Sequence, residues 1–309
     1  MREYPMTFDE FTTKFATEQQ CRDYLYQLRW PDGYACPKCE NEKSWKIGNT
    51  LYECSSCGHQ ASVIAGTIFQ DTRKPLKTWF TAMWWVTTQK NGASAKGLQQ
   101  ILGLKSYETA WTWLHKIRKA MVLPNRSDLS GTVEVDETYI GGEEPGGKQG
   151  RGSENKVLVA IAVEVNDKNK PGRIRMSVIP DASGDSLKTF VVNNIEKGSS
   201  VITDGWSSYS FLPESGYRHT RIVKGDLEYD EKMLPRVHVV VSLLKRWLLG
   251  THQGAVREKY LQAYLDEYVF RFNRRKSAER GLLFYRLLEC VMNVKPTTYD
   301  DIVGVSNNL

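Results

Sequence analysis

Four of the six cysteines in this 309-residue chain fall into two pairs, Cys36 and Cys39 in CPKC and Cys54 and Cys57 in CSSC. Two C-x-x-C knuckles with fourteen residues between them suit one tetrahedral zinc ion, each knuckle giving two thiolates from a single turn. Four thiolates leave no position for water, so this zinc is structural. A thioredoxin-like redox motif is the competing reading, and two paired motifs outside a βαβ context disfavour it. Cys21 and Cys290 stand alone and read as buried thiols. A second set of reactive side chains lies in RVHVVVSLLKRW, residues 236–247. His238 and Lys245 are seven residues apart, two helical turns, so both project from nearly the same edge of an otherwise apolar helix. That edge is either a half-solvated face or one wall of a site.

The chain as a whole sets the bounds. Its length suggests two or three folding units, and 40% hydrophobic with 25% charged residues is a globular composition. A net charge of +6 and a pI near 8.9 lean mildly towards a polyanionic partner. No apolar run approaches the roughly 20 residues that span a bilayer, and MREYPMTFDEF lacks the basic start and apolar stretch of a secretion signal. The expectation is a cytoplasmic protein with no membrane partner, its cysteines thiols or metal ligands rather than disulfides.

Residues 7–30 read as an amphipathic helix pair, and the stretch between the cysteine pairs, ENEKSWKIGNTLYE, as a short hairpin. A helical apolar pattern begins near Pro75. Ser94 then caps a short helix ending near Leu102, Gly103 breaks it, and Ser106 caps a longer one running towards Met121. This is a helix-turn-helix pattern whose second helix offers Lys116, Arg118 and Lys119 to phosphates; a plain helical hairpin is the alternative.

From residue 131 the pattern turns to β. TVEVDETYIGG alternates, with Glu134, Asp136 and Thr138 on one face and Val133 and Val135 on the other. KVLVAIAVEV, RIRMSVIP, SSVITDGWSSY and YRHTRIVK follow as strands, with a helix capped by Ser183 after the third and a turn and helix after the fourth. The order β-β-β-α-β-α-β-α gives an α/β, ribonuclease-H-like mixed sheet with flanking helices. The glycine-rich GGEEPGGKQGRGS lacks the G-K-[ST] ending of a phosphate loop and reads as a flexible connection. In this topology Asp136 on the first strand and Asp204 at the end of the fourth lie on neighbouring strands. Two such carboxylates can hold a pair of divalent cations for phosphoryl transfer, and oxygen donors suit Mg²⁺. A third ligand normally comes from a later helix, and 34 residues beyond Asp204 stands His238.

CPKC…CSSC, GTIF, VEVDETYIGG, ITDGWSSY, SLLKRWLLGTHQG and YLDEYVFRFNRR together resemble a known family. The chain is similar to bacterial insertion-sequence transposases that join an N-terminal zinc ribbon to a DDE-type catalytic domain, and the resemblance covers nearly its whole length. It implies binding of double-stranded DNA at terminal inverted repeats, metal-dependent nicking and joining of the freed ends to target DNA. It also implies that two ends are handled together by a homo-oligomer. Asp136 and Asp204 match the family's two metal-binding aspartates, His238 falls on its third acidic position, and Lys245 on its following basic residue. The chain departs from the family at His238, where relatives carry Glu or Asn. An imidazole favours ions softer than Mg²⁺, such as Mn²⁺, or can act as a general base. Lys245 then meets a phosphate.

Glu134 and Glu267 compete with His238 for the third place; Glu267 either approaches the metals or pairs with Arg271. Asp226, Asp230 and Glu231 read as solvated. Arg271, Arg274 and Arg275 in RFNRRKSAER offer a phosphate-tracking surface. The expected division is 1–70 for N-terminal helices and ribbon, 71–125 for the helix-turn-helix-like segment, 126–290 for the catalytic domain and 291–309 for a tail. Two rival functions share these residues: a sequence-specific DNA-binding protein with an inactive catalytic fold, and a ribonuclease-H-like nuclease without strand transfer.

Overall fold

The computed structural model describes residues 4–141, 156–223, 233–253 and 256–304. The chain forms two compact units, Met1–Pro124 with Ser277–Leu309, and Asn125–Lys276.

The first unit opens with α1 (Phe8–Lys14) and α2 (Glu18–Arg29), the expected pair. Thr17 and Gln20 form a reciprocal capping box at the start of α2. Strands β1 (Ser44–Ile47), β2 (Leu51–Cys54) and β3 (Gln60–Ser62) make an antiparallel sheet in that order. The expected hairpin is its first two strands. Then come α3 (Leu76–Thr88), α4 (Ala95–Leu102) and α5 (Tyr107–Ala120). The caps are those the sequence announces: Ser94 accepts from Gly97 N–H, Ser106 accepts from Thr109 N–H, and Gly103 ends α4 at a φ of +60°. Gly97 is small for a reason, since a Cβ there would stand 2.9 Å from the Trp85 ring of α3.

The second unit holds β4 (Thr132–Ile140), β5 (Val157–Val165), β6 (Pro171–Val178), α6 (Gly184–Val192), β7 (Ser200–Asp204), β8 (Arg218–Ile222), α7 (Pro235–His252) and α8 (Glu258–Asn273). The sheet order is β6-β5-β4-β7-β8, with β4, β5 and β6 antiparallel and β7 parallel to both β4 and β8. This is the ribonuclease-H-like arrangement. Both faces are covered, so β5 is apolar from Val157 to Val163. Val159, Ile161 and Val163 pack towards α7 and α8, whereas Leu158, Ala160 and Ala162 pack towards α6. Between β7 and β8 the expected helix is only a three-residue 3₁₀ turn, Ser207–Tyr209. Pro213 and Gly216 follow too closely for more. The glycine-rich connection lies almost wholly outside the described residues, as do Asp226, Asp230 and Glu231.

The chain then returns to the first unit as α9 (Arg280–Met292) and α10 (Tyr299–Val303). Phe284 on α9 meets Phe11, Phe15, Phe80 and Trp84 at ring-centroid distances of 5.4–5.8 Å. The compact second unit therefore ends before α9, whereas the sequence pattern extends a catalytic segment to residue 290. An apolar helical face announces that it will be buried, not which core it will join. Among the described residues no helix is long and apolar enough to cross a membrane.

Candidate metal and nucleic-acid sites

The zinc-ribbon cysteines converge. Cys36, Cys39, Cys54 and Cys57 bring their Sγ atoms within 4.8 Å of one another. Individual pairs lie 3.7 Å (Cys36–Cys57), 3.5 Å (Cys39–Cys54) and 3.4 Å (Cys39–Cys57) apart. A tetrahedron with zinc–sulfur bonds near 2.3 Å has edges of about 3.8 Å, so the quartet fits zinc. Backbone N–H groups of Cys57 and Ser56 hold the Cys54 thiol down to about 6, and Asn41 Nδ2 donates to its sulfur at 3.5 Å. Both favour the thiolate that a metal needs.

The second site is assembled by sheet topology. The parallel β4–β7 ladder ends at Glu134↔Ile202, two residues before Asp136 on β4 and Asp204 on β7. Both carboxylates line a cleft of about 410 Å³ with Glu137, Thr138, Tyr139, Lys156, Leu158 and Ala182. Asp136 Oδ1 accepts from Glu137 N–H at 2.9 Å and Asp204 Oδ1 from Trp206 N–H at 3.0 Å, which fixes each headgroup. From α7, His238 Nε2 reaches to 3.7 Å from Asp136 Oδ2. That is long for a hydrogen bond. It lies within the span of two donors sharing one cation, about 3–4 Å for bonds of 2.0–2.2 Å. Burial, reinforced by the nearby charges of Glu137, Asp204 and Glu134, pushes the Asp136 carboxyl up to about 7. Clustered carboxylates of this kind favour a bound cation. The set is looser than the thiolate quartet, which alone among the described residues reaches its mutual spacing. Lys245 is exposed on the same edge of α7 as His238, seven residues and about 10 Å along the axis.

Two glutamates flank the pair, one on each face of β4. Glu137 accepts a 2.8 Å hydrogen bond from the fully buried Tyr209 hydroxyl. Proximity to this carboxylate adds to burial in raising the Tyr209 phenol well above its usual range. Glu134 is 1% exposed and accepts from Arg236 N–H (2.8 Å), Val237 N–H (3.0 Å) and Arg236 Nη1 (2.8 Å). Alternation places Glu134 on the face of Asp136, but nothing in that pattern shows that it is consumed by a helix start. The missing signal is at the helix itself: Pro235 opens α7 with no Ser, Thr, Asp or Asn before it, so a cap must come from elsewhere.

Several sequence candidates fall outside the cleft. Glu267 is 0% exposed, ion-paired with Arg271 at 2.8 Å, and not among the residues lining the cleft. That pairing also withdraws Arg271 from a phosphate surface. Arg274 and Arg275 stack on Phe270 and Phe272 at 4.0 and 3.8 Å and donate to the carbonyls ending α8. Arg275 keeps an exposed edge. In the helix-turn-helix, Arg118 is 2% exposed and donates to Ala93 O at 3.1 Å. It braces the hairpin and does not face solvent. Burial lowers the Lys116 ammonium beside Asp71 and Asp301; Lys119 is exposed and also adjoins Asp301. Helical spacing put these three near one another, yet helix packing turns only Lys119 fully outward.

A ribonuclease-H-like sheet with two aspartates in one cleft and a four-cysteine ribbon are the two parts of this chain. Comparison agrees: residues 128–273 match the ISXO2-like transposase domain and residues 16–60 the transposase zinc-ribbon domain. Over these two stretches the chain is similar to insertion-sequence transposases. It is 28% identical over 287 residues to a protein of the transposable element ISH50 of Halobacterium salinarum, covering 83% of this chain and 93% of that one. Among solved structures it is similar to the catalytic core domain of BIV integrase, with a TM-score of 0.35 and 17% identity over 50% of this chain and 90% of that chain. Another is a simian T-cell lymphotropic virus intasome, with a TM-score of 0.29 and 12% identity over 57% of this chain and 65% of that chain. The fold assignment rests on the strand order.

Proposed function

We propose that the protein is the DNA transposase of its insertion sequence, binding the terminal inverted repeats and carrying out divalent-metal-dependent strand cleavage and strand transfer. The observation that carries this reading is that Asp136 and Asp204, on neighbouring parallel strands, line one cleft, with His238 Nε2 at 3.7 Å from Asp136 Oδ2. Asp136, Asp204 and His238 would hold the metal, Mg²⁺ or the softer Mn²⁺, as a pair of ions. Bound there, divalent cations activate the attacking oxygen and stabilise the leaving oxygen of an in-line displacement. The N–H groups of Glu137 and Trp206 orient the two carboxylates. His238 either completes the donor set or takes the proton of the attacking hydroxyl. Lys245, on the same helix edge, steadies a phosphate of the bound end. Lys119 and Arg275 add exposed positive charge. Because two ends must be joined, the working form is a homo-oligomer on double-stranded DNA.

The test is a labelled duplex carrying the element's end, incubated with the full-length protein in Mg²⁺ and separately in Mn²⁺. Nicked and then joined products are expected, stronger in Mn²⁺. Nicking without joining would favour a nuclease, and tight end binding with no cutting in either metal would favour an inactive DNA-binding descendant.

A further inference from the structure

Helix α7 begins in an unusual way. Its N-cap residue, Leu234, has a left-handed backbone with φ +44° and offers no side chain to the free N–H groups of the first turn. Those groups are instead met from the sheet. Glu134 on β4 accepts from Arg236 N–H and Val237 N–H, the second and third helical positions, and its other oxygen holds the Arg236 guanidinium. The guanidinium is held from the far side by Asn169, in the turn between β5 and β6. A carboxylate in this place satisfies two orphan donors and complements the helix dipole at once. The next helical residue is His238, and the next residue on the same face of β4 is Asp136.

We infer that Glu134 is a positioning residue: by fixing the start and rotation of α7 it sets His238 beside Asp136. The argument rests on the proposed function only in taking His238 as a working part of the cleft. One residue of slippage at the helix start turns every side chain by about 100° and moves it about 1.5 Å along the axis. Either change carries the imidazole away from Asp136. Strand β4 thus bears two carboxylates on one face with different tasks, Glu134 holding the helix and Asp136 facing the imidazole that the helix delivers.

The test reads the imidazole directly. The chain has five histidines, so ring-labelled histidine gives a spectrum in which His238 is assigned by its loss in His238→Gln. In the full-length protein Asp136→Asn shifts the His238 ring signals. In a Glu134→Ala background that response disappears, and single-turnover cleavage of the end duplex falls about 100-fold with end binding unchanged. Glu134→Gln keeps an oxygen for the two N–H groups and retains the response and most of the cleavage. Should Glu134→Ala fail to fold, Glu134→Asp takes its place; its shorter reach draws the cap back and weakens the response and the rate together. A response equal in all backgrounds, or absent from the parent, overturns the inference, as does a Glu134→Gln variant as damaged as Glu134→Ala. If the response follows the cap but no variant, parent included, cuts DNA, the positioning stands and the transposase reading falls.

Discussion

The protein carries a cysteine quartet and a carboxylate cleft built on opposite plans. The cysteine quartet comes from a single stretch, Cys36 to Cys57, whose knuckles make their own turns around short strands. The carboxylate site draws Asp136, Asp204 and His238 from two strands and a helix spread over about 100 residues of sequence. In the first, four soft donors close on one ion and the ion replaces a core that the small sheet cannot provide. In the second, hard donors stand in an open cleft on a sheet already packed on both faces. The ribbon is held by its metal; the carboxylate cleft is held by its sheet.

Metal removal breaks that comparison most sharply. Structural zinc sites supply on the order of 10 kcal/mol of folding free energy. Chelation strong enough to strip zinc should therefore unfold β1–β3, read as lost amide protection from Lys43 to Ser62, while β4–β8 stay protected. A ribbon that keeps its protection without metal would undo the contrast. Next in size are Asp136→Asn and Asp204→Asn. Each should lower single-turnover cleavage by on the order of 10³–10⁴-fold, about 4–5 kcal/mol, with end binding and thermal stability close to the parent. If both lose binding as well, these aspartates belong to the scaffold.

The two plans differ in legibility for the same reason. Fourteen residues between cysteine pairs suffice to read the ribbon, because its ligands are local. The aspartates become visible only through element order, since β4 and β7 are joined by nothing shorter than two strands and a helix. Ser94, Gly103, Ser106 and Ser183 announced their helix ends because capping chemistry is local too. Sequence could not show which polar residues are already occupied. Glu134 shares the strand face of Asp136 but faces a helix start; Glu267 and Arg118 are charged residue types that the fold buries. The placing of α9 with the first unit was illegible for a related reason, since its apolar stripe fits either core.

Glu267 sharpens the boundary of the carboxylate site. Its 2.8 Å ion pair with Arg271 is closed from solvent on the glutamate side, and removing one partner of such a pair leaves the other charge stranded at a cost of about 3 kcal/mol. Glu267→Ala should lower the urea midpoint accordingly. Measured on folded protein, its cleavage rate should match the parent. A rate loss comparable to that of Asp136→Asn would return Glu267 to the metal site.

The smallest effect compares two half-buried carboxyls within one unit. Asp136 is raised by burial and by other carboxylates around a cleft. Asp266 on α8 is raised to about 6 chiefly by burial, with a hydrogen bond from Gln262 and the charge of Arg126 pulling the other way. Its unfolded value is 3.8, so between about pH 4 and pH 6 the folded chain holds a proton that the unfolded chain has lost. Stability contributed by that proton falls as pH rises through this window and stays lost above it. At 1.36 kcal/mol per unit the cost is roughly 3 kcal/mol at most. Asp266→Asn should therefore match the parent near pH 4, become progressively more stable relative to it up to about pH 7, and cleave DNA at the parental rate throughout. Urea titrations at several pH values read the difference. A gap that does not change with pH would mean that Asp266 titrates alike in both states, and that burial alone does not separate a carboxyl from water on this face of the sheet.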